Sequence, residues 1–177
     1  MDVCDERDRK LLWELDQDPE VMHFLSNRKP TTWDELENFM APRIASFTVP
    51  AEGLGIWEVV DRHNSDYLGW IIARYYRFDR PERETDNLEL GWRFKRMCWG
   101  KGIATEAAHA IMTVLARNPA TRVFSAMADP ANLASIGVMK KLGMHFVDDR
   151  VHIVGERRYP AAYHEMPSPN FNGRPPA

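Results

Sequence analysis

Residues 99–107 read Trp99-Gly100-Lys101-Gly102-Ile103-Ala104-Thr105-Glu106-Ala107, and the fold turns on them. Before them, Asn87 to Phe94 alternates, with Leu88, Leu90, Trp92 and Phe94 on one face and Asn87, Glu89 and Arg93 on the other, which is the period of a strand. After them, Ile103, Ala107, Ala110, Ile111 and Val114 mark an amphipathic helix that Asn118-Pro119 ends. A glycine-rich turn between strand and helix leaves the first helical N–H groups unpartnered at the positive end of the helix dipole. Such a turn is an anion site whose usual occupant is a phosphate. The backbone N–H groups of residues 100–104 can cradle a pyrophosphate, and Gly102, without a Cβ, lets the chain approach it closely. Two better-known phosphate motifs are excluded. A dinucleotide fingerprint would need glycine where Thr105 stands, and a P-loop would need Ser or Thr where Gly102 follows Lys101.

Working outward, residues 8–25 have helical spacing, broken at Asp18-Pro19 because a residue before proline avoids the α region. Thr32-Trp33-Asp34-Glu35 is a capping box opening a second helix through Leu36, Met40, Ile44 and Phe47. Residues 54–60 and 67–76 read as a hairpin around the polar turn 61–66, and the charged stretch 77–86 reads as an exposed loop. Beyond the first amphipathic helix come a strand over 122–128, a turn at Asp129-Pro130, and a helix over 132–142 stopped by Gly143. Residues 144–154 and 159–166 close the pattern as an antiparallel pair, so residues 1–166 read as one domain. The proline-rich tail, 167–177, follows as a loosely held extension.

A chain of 177 residues can bury roughly 70% of its unfolded surface in one domain. A formal charge of −3 does not indicate a general nucleic-acid surface. No apolar run approaches the ~20 residues of a membrane span, and the N-terminus lacks the segments of a secretory signal. Cys4 and Cys98 are expected as free thiols in a reducing cytoplasm, and neither their spacing nor any His-Glu-x-x-His indicates a metal site.

The two blocks around the turn and the last helix together resemble the GNAT (Gcn5-related N-acetyltransferase) superfamily, and within it the RimJ/RimL-type branch. The superfamily's coenzyme A loop has Gln or Arg, two residues, Gly, one residue, then Gly or Ala. Here Trp99 takes the first place, a departure familiar in the RimJ/RimL-type branch, while Gly102 and Ala104 match. Ala104-Thr105-Glu106-Ala107 resembles the same branch, as do Asn132-Leu133-Ala134-Ser135 and Met139-Lys140-Lys141-Leu142-Gly143-Met144. The resemblance spans about residues 8–166. It implies an acyl-CoA N-acyltransferase fold of the mixed α/β class: a mostly antiparallel central sheet with helices on both faces. The family's first strand is missing here, is shortened to a stub at Met1 to Asp5, or lies upstream of Met1. An edge exposed by that loss would call for cover from a homodimer or the C-terminal tail.

The resemblance also implies chemistry: acetyl transfer from acetyl-CoA to a primary amine, without a covalent enzyme intermediate. The acceptor would be a protein N-terminus or a small-molecule amine, with no metal and no nucleic-acid or membrane partner. The residues matched to the coenzyme are Phe94, Trp99, Gly100, Lys101, Gly102, Ile103, Ala104, Thr105, Asn132 and Ser135. Arg93, Lys95, Arg96 and Lys101 form a basic cluster that either attracts the cofactor's further phosphates or is a solvated strand end. Glu89, on the polar face of the strand feeding the loop, is the candidate proton acceptor, against an ordinary exposed carboxylate. Glu58 is a lesser candidate. Met139 stands where many superfamily members have a thiol-protonating tyrosine, which leaves Ser135 to hydrogen-bond the leaving thiolate or merely cap its helix. Tyr163, His164 and Glu165 are placed in the last strand, where they could line the acceptor end. The six histidines lack partners by spacing and read as structural or exposed, and Trp13, Trp33, Trp57, Trp70 and Trp92 read as core. An α-amine, with a pKa of about 7.7–8.0 against about 10.4 for lysine, is the readier nucleophile near neutrality. The competing reading is a non-catalytic acyl-CoA-binding module that regulates a partner.

Overall fold

The computed structural model describes residues 1–25, 29–154 and 157–168. Helix α1 (Glu6–Leu15) starts at Glu6 rather than residue 8, because the Asp5 side chain accepts from the Arg7 and Asp8 N–H groups. Asp18 caps the short α2 (Pro19–Met22), with Pro19 in its first turn, so the break falls at Asp18-Pro19 as the sequence indicates. Thr32 and Glu35 form the reciprocal capping box at the start of α3 (Trp33–Glu35). A π-turn, Leu36–Met40, joins it to α4 (Ala41–Phe47). Pro42 accounts for that turn. It has no N–H for the carbonyl four residues back and its ring would crowd it, so the spiral widens and the Ala41 N–H reaches the Leu36 carbonyl.

Six strands follow: β1 (Gly55–Val60), β2 (Tyr67–Tyr76), β3 (Glu84–Phe94), β4 (Val123–Ala128), β5 (His145–Val154) and β6 (Arg157–Pro167). They lie in the order β1-β2-β3-β4-β6-β5. β3 and β4 run parallel, connected by α5 (Ile103–Leu115), and the other neighbours are antiparallel. Helix α6 (Leu133–Lys141) connects β4 to β5. Two ends differ from the sequence reading. Residues 84–86 of the expected charged loop pair into β3 against Tyr76. Pro167 pairs with Val123 and the Ser168 N–H donates to the Arg122 carbonyl at 2.7 Å, so the start of the expected tail belongs to the sheet. The rest of that tail, 169–177, lies outside the described residues.

The alternation seen in the sequence of β3 sorts the molecule into two layers. Leu88, Leu90 and Phe94 join Ile71, Phe124 and Ala126 beneath Ala108 and Met112 of α5 and Met139 of α6. On the opposite face Leu12, Leu36, Ile44 and Phe47 pack with Ile56 of β1. Among the described residues no strand precedes β1. Met1 to Asp5 forms a short stub instead, with Val3 buried and the Met1 ammonium donating to the Ile56 carbonyl at 2.7 Å. No helix of the described residues is long and apolar enough to cross a membrane.

Candidate active site

The register of β2 against β3 sets Arg74 opposite Glu89, Ile72 opposite Gly91, and Trp70 opposite Arg93. These pairs form the floor of a cleft of about 920 Å³, walled by the N-terminal helices on one side and the β5–β6 hairpin on the other. Glu89 is 8% exposed, so it is not the ordinary surface carboxylate that its alternative reading required. Its Oε1 accepts from Arg74 Nη2 at 2.7 Å. Arg93, expected near the cofactor loop, turns instead to Asp16 of the α1 terminus, and the Thr31 hydroxyl donates to the same carboxylate at 2.6 Å. The Arg93 guanidinium also lies 5.0 Å from the Trp70 ring centre. Between the two ion pairs Gly91 keeps the floor low, since a Cβ there would come within 2.8 Å of Ile72 Cγ2.

The parallel ladder of β3 with β4 stops at Leu90 opposite Ala126. Beyond it the strands part, and Gly91, Trp92 and Arg93 of β3 and Met127 and Ala128 of β4 all border the cleft. A parting between parallel strands leaves backbone N–H and C=O groups facing each other without a ladder, a slot for an extended amide-bearing chain. β3, one edge of the slot, is followed in the chain by the glycine-rich turn. Gly100 and Gly102 sit at φ +72° and +80°, left-handed conformations that disfavour a side chain. Open space surrounds the Cβ position of Gly102, so its backbone angle, not close packing, demands glycine. Gly102 is the N-cap of α5 and offers no side-chain cap, so the first-turn N–H groups are left for an outside acceptor. The Trp99 indole N–H donates to the Phe94 carbonyl at 3.0 Å and ties the turn to the end of β3.

The basic cluster around this turn is mostly engaged elsewhere. Arg93 pairs with Asp16, Arg96 with Asp18 at 3.3 Å, and the Lys95 ammonium lies 5.3 Å from the Tyr67 ring centre. Lys101 is exposed. Phe94, matched to the coenzyme by resemblance, buries its side chain in the core. On α6, Asn132 caps the helix, its Oδ1 accepting from the Ser135 N–H at 3.1 Å. Ser135 is thus not the cap, and both residues border the cleft. One turn further, Met139 points into the core and is 0% exposed.

Residues 3–145 match the acetyltransferase (GNAT) domain family. The chain belongs to that family. It is 30% identical over 145 residues to the uncharacterized protein YkkB of Bacillus subtilis, an alignment covering 80% of this chain and 78% of that one. It is 27% identical over 142 residues to the FsC-acetyl coenzyme A-N(2)-transacetylase of Aspergillus fumigatus, covering 79% of this chain but 59% of the longer relative. Among solved structures, an acetyltransferase (GNAT family) from Bacillus anthracis superposes with a TM-score of 0.71 at 21% identity, over 93% of this chain and 91% of that one.

Within this GNAT frame His152 is a cleft residue that can carry a proton and had no sequence signal. His152 on β5, opposite Tyr159 of β6, borders the cleft. Burial holds its imidazole below the ordinary pKa. Glu89 pulls the value back up, while Arg74 and Arg43 push it further down. The ring is therefore neutral at pH 7, able to accept a proton. Nothing near it in sequence marks it, because its charged neighbours come from β2, β3 and α4. The lesser candidates lie elsewhere. Glu58 pairs with Arg7 at 2.8 Å on the edge strand. The Tyr163 hydroxyl donates to Glu165 at 2.9 Å and receives from Asn87 at 3.0 Å in a buried network with Ser125, while His164 is buried against Phe146. These residues brace the sheet rather than border the cleft. Trp57 is 37% exposed, a partial departure from the expected core.

Proposed function

We propose that this GNAT protein moves the acetyl group of acetyl-CoA to a primary amine by direct attack, as the RimJ/RimL-type resemblance implies. The observation that carries this is the slot between β3 and β4. It opens where the β3–β4 ladder stops, beside the floor between Glu89 and Gly91, and β3 continues along the chain to the uncapped start of α5. Acetyl-CoA supplies the acyl group as a reactive thioester. Gly100 to Thr105 hold its pyrophosphate through backbone N–H groups, and Trp99 fixes the turn. The parted edges of β3 and β4 bond the pantetheine amides. Glu89, held in place by Arg74, draws the proton from the acceptor amine directly or through water. The Ser135 hydroxyl, free of capping duty, hydrogen-bonds the departing thiolate. The free thiols of Cys4 and Cys98 support a reducing, cytoplasmic setting.

Calorimetric titration with acetyl-CoA, beside a Gly102→Glu variant, tests the cofactor site. Binding to the wild type and its loss in the variant is the expected result. With an acceptor in hand, Glu89→Gln should lower kcat by about 10²–10⁴-fold. Unchanged turnover in Glu89→Gln and in Ser135→Ala would remove both residues from the mechanism. Met139, buried where many members have a tyrosine, favours one second reading, a non-catalytic acyl-CoA-binding module. Tight acetyl-CoA binding with no turnover across a broad amine panel would establish it.

A further inference from the structure

Two guanidinium groups border the cleft that holds Glu89, and one of them, Arg74, pairs with that carboxylate. Arg43 of α4 lies 4.6 Å from the centre of the Phe78 ring, and Arg74 of β2 lies 4.7 Å from the same centre. Phe47 adds a second ring 5.6 Å from Arg74. Both arginines border the cleft, with their side chains 21% and 11% exposed. Each gives only one guanidinium nitrogen to a carboxylate: Arg43 Nη1 to Asp79 at 3.0 Å, and Arg74 Nη2 to Glu89 at 2.7 Å. Asp79 stands outside the cleft and is a third exposed, so solvent screens it. A guanidinium has five N–H donors and no acceptor, and the Nε of Arg74 is buried with no partner. The acids nearby have less to offer. Both oxygens of Asp16 are taken, by Thr31 and Arg93, and Glu35 closes its own capping box. Apart from Glu89, which the acceptor amine engages, the unused hydrogen-bonding capacity of these side chains is donor capacity.

We infer that Arg43 and Arg74 form a subsite for an oxyanion carried by the acceptor amine, so that the acceptor is a small amino-acid-like molecule. The inference rests on the acetyltransfer reading above and narrows its acceptor. Two guanidinium forks that border one cleft and stack on the same aromatic ring suit a carboxylate or phosphonate, which takes paired N–H donors. Because Arg74 touches Glu89, an amine seated at Glu89 lies within a few ångströms of the subsite. Amine and oxyanion must therefore be close in the acceptor, as in an α- or β-amino acid. A polyamine would place a second cation against the arginines, and a peptide N-terminus carries an amide where the oxyanion belongs.

Matched pairs test this on the coenzyme A-saturated protein by calorimetry, and on the enzyme by kcat/KM: phenylalanine against phenylalaninamide, β-alanine against its amide, and 2-aminoethylphosphonate against ethylamine. The expected result is a preference of about tenfold or more for the oxyanion member of at least one pair, in affinity or kcat/KM. The favoured pair separates carboxylate from phosphonate. Arg43→Ala should erase that preference while acetyl-CoA affinity is kept, and Arg43→Lys should restore it only in part. Equal use of both members, a preference for spermidine, or a preference that survives Arg43→Ala would overturn the subsite. Failure of acetyl-CoA to bind would instead overturn the acetyltransfer reading, and the same calorimetric pairs run on the protein without coenzyme would still decide for or against the oxyanion site.

Discussion

At His152 burial and two neighbouring arginines make protonation unfavourable in the folded protein. Its folded pKa lies below the unfolded value of about 6.5, so between the two the unfolded chain binds more protons. Stability is therefore complete above about pH 6.5 and is lost as pH falls toward the folded pKa. Urea midpoints measured from pH 7.5 down to 5 should fall, and His152→Gln should flatten part of that slope. Asp16 offers a larger effect. It is 1% exposed and bound to Arg93 and Thr31, so Asp16→Ala leaves a guanidinium uncompensated and should lower stability by about 3–5 kcal/mol. Neither residue was legible in the sequence. Arg93 lies 77 positions from Asp16, and only the folded sheet brings them together. The cofactor turn was legible because its chemistry is local: two glycines, a helix start, and a strand end within a few residues.

Elements were legible where their period is strong and their stops are chemical. The capping box at Thr32, the break at Pro19 and the cap at Asn132 all stand where side-chain chemistry puts them. The widened turn at Leu36–Met40 was not read, because apolar spacing alone carries through Pro42 as if the helix were regular. Asn132→Ala should destabilise the protein by about 1 kcal/mol, the usual worth of an N-cap, and weaken coenzyme binding by loosening the start of α6. Helix α6 also explains why Met139 cannot be converted into the missing acid. Its side chain is sealed between α6 and the sheet, so Met139→Tyr should lower the thermal midpoint through overpacking of about 1–3 kcal/mol and should not raise kcat.

For the whole molecule, the alternation read in β3 marks the face that α5 and α6 cover, since polar and apolar positions of a strand point to opposite sides. The membership of the cleft could not be read that way. Glu89 was marked by its place on β3, but Arg43, Arg74 and His152 come from three other elements, and only the fold brings them to the same cleft. One feature of the sheet reaches further. Its two antiparallel halves, β1-β2-β3 and β4-β6-β5, meet through a ladder of four residue pairs, Asn87–Leu90 with Val123–Ala126. That is a narrow seam, and the halves should flex about it like leaves on a short hinge. A ligand bonding to both free edges would lengthen the seam and stiffen the joint. Among residues 91–93 and 127–128, the amide protons that do not face β2 or β6 should then exchange quickly in the empty protein and slowly at saturating coenzyme A. The melting curve should sharpen and shift upward with ligand concentration, by the equivalent of about 2.7 kcal/mol at a hundredfold excess over Kd. The cofactor would then serve as a splint as well as a reagent.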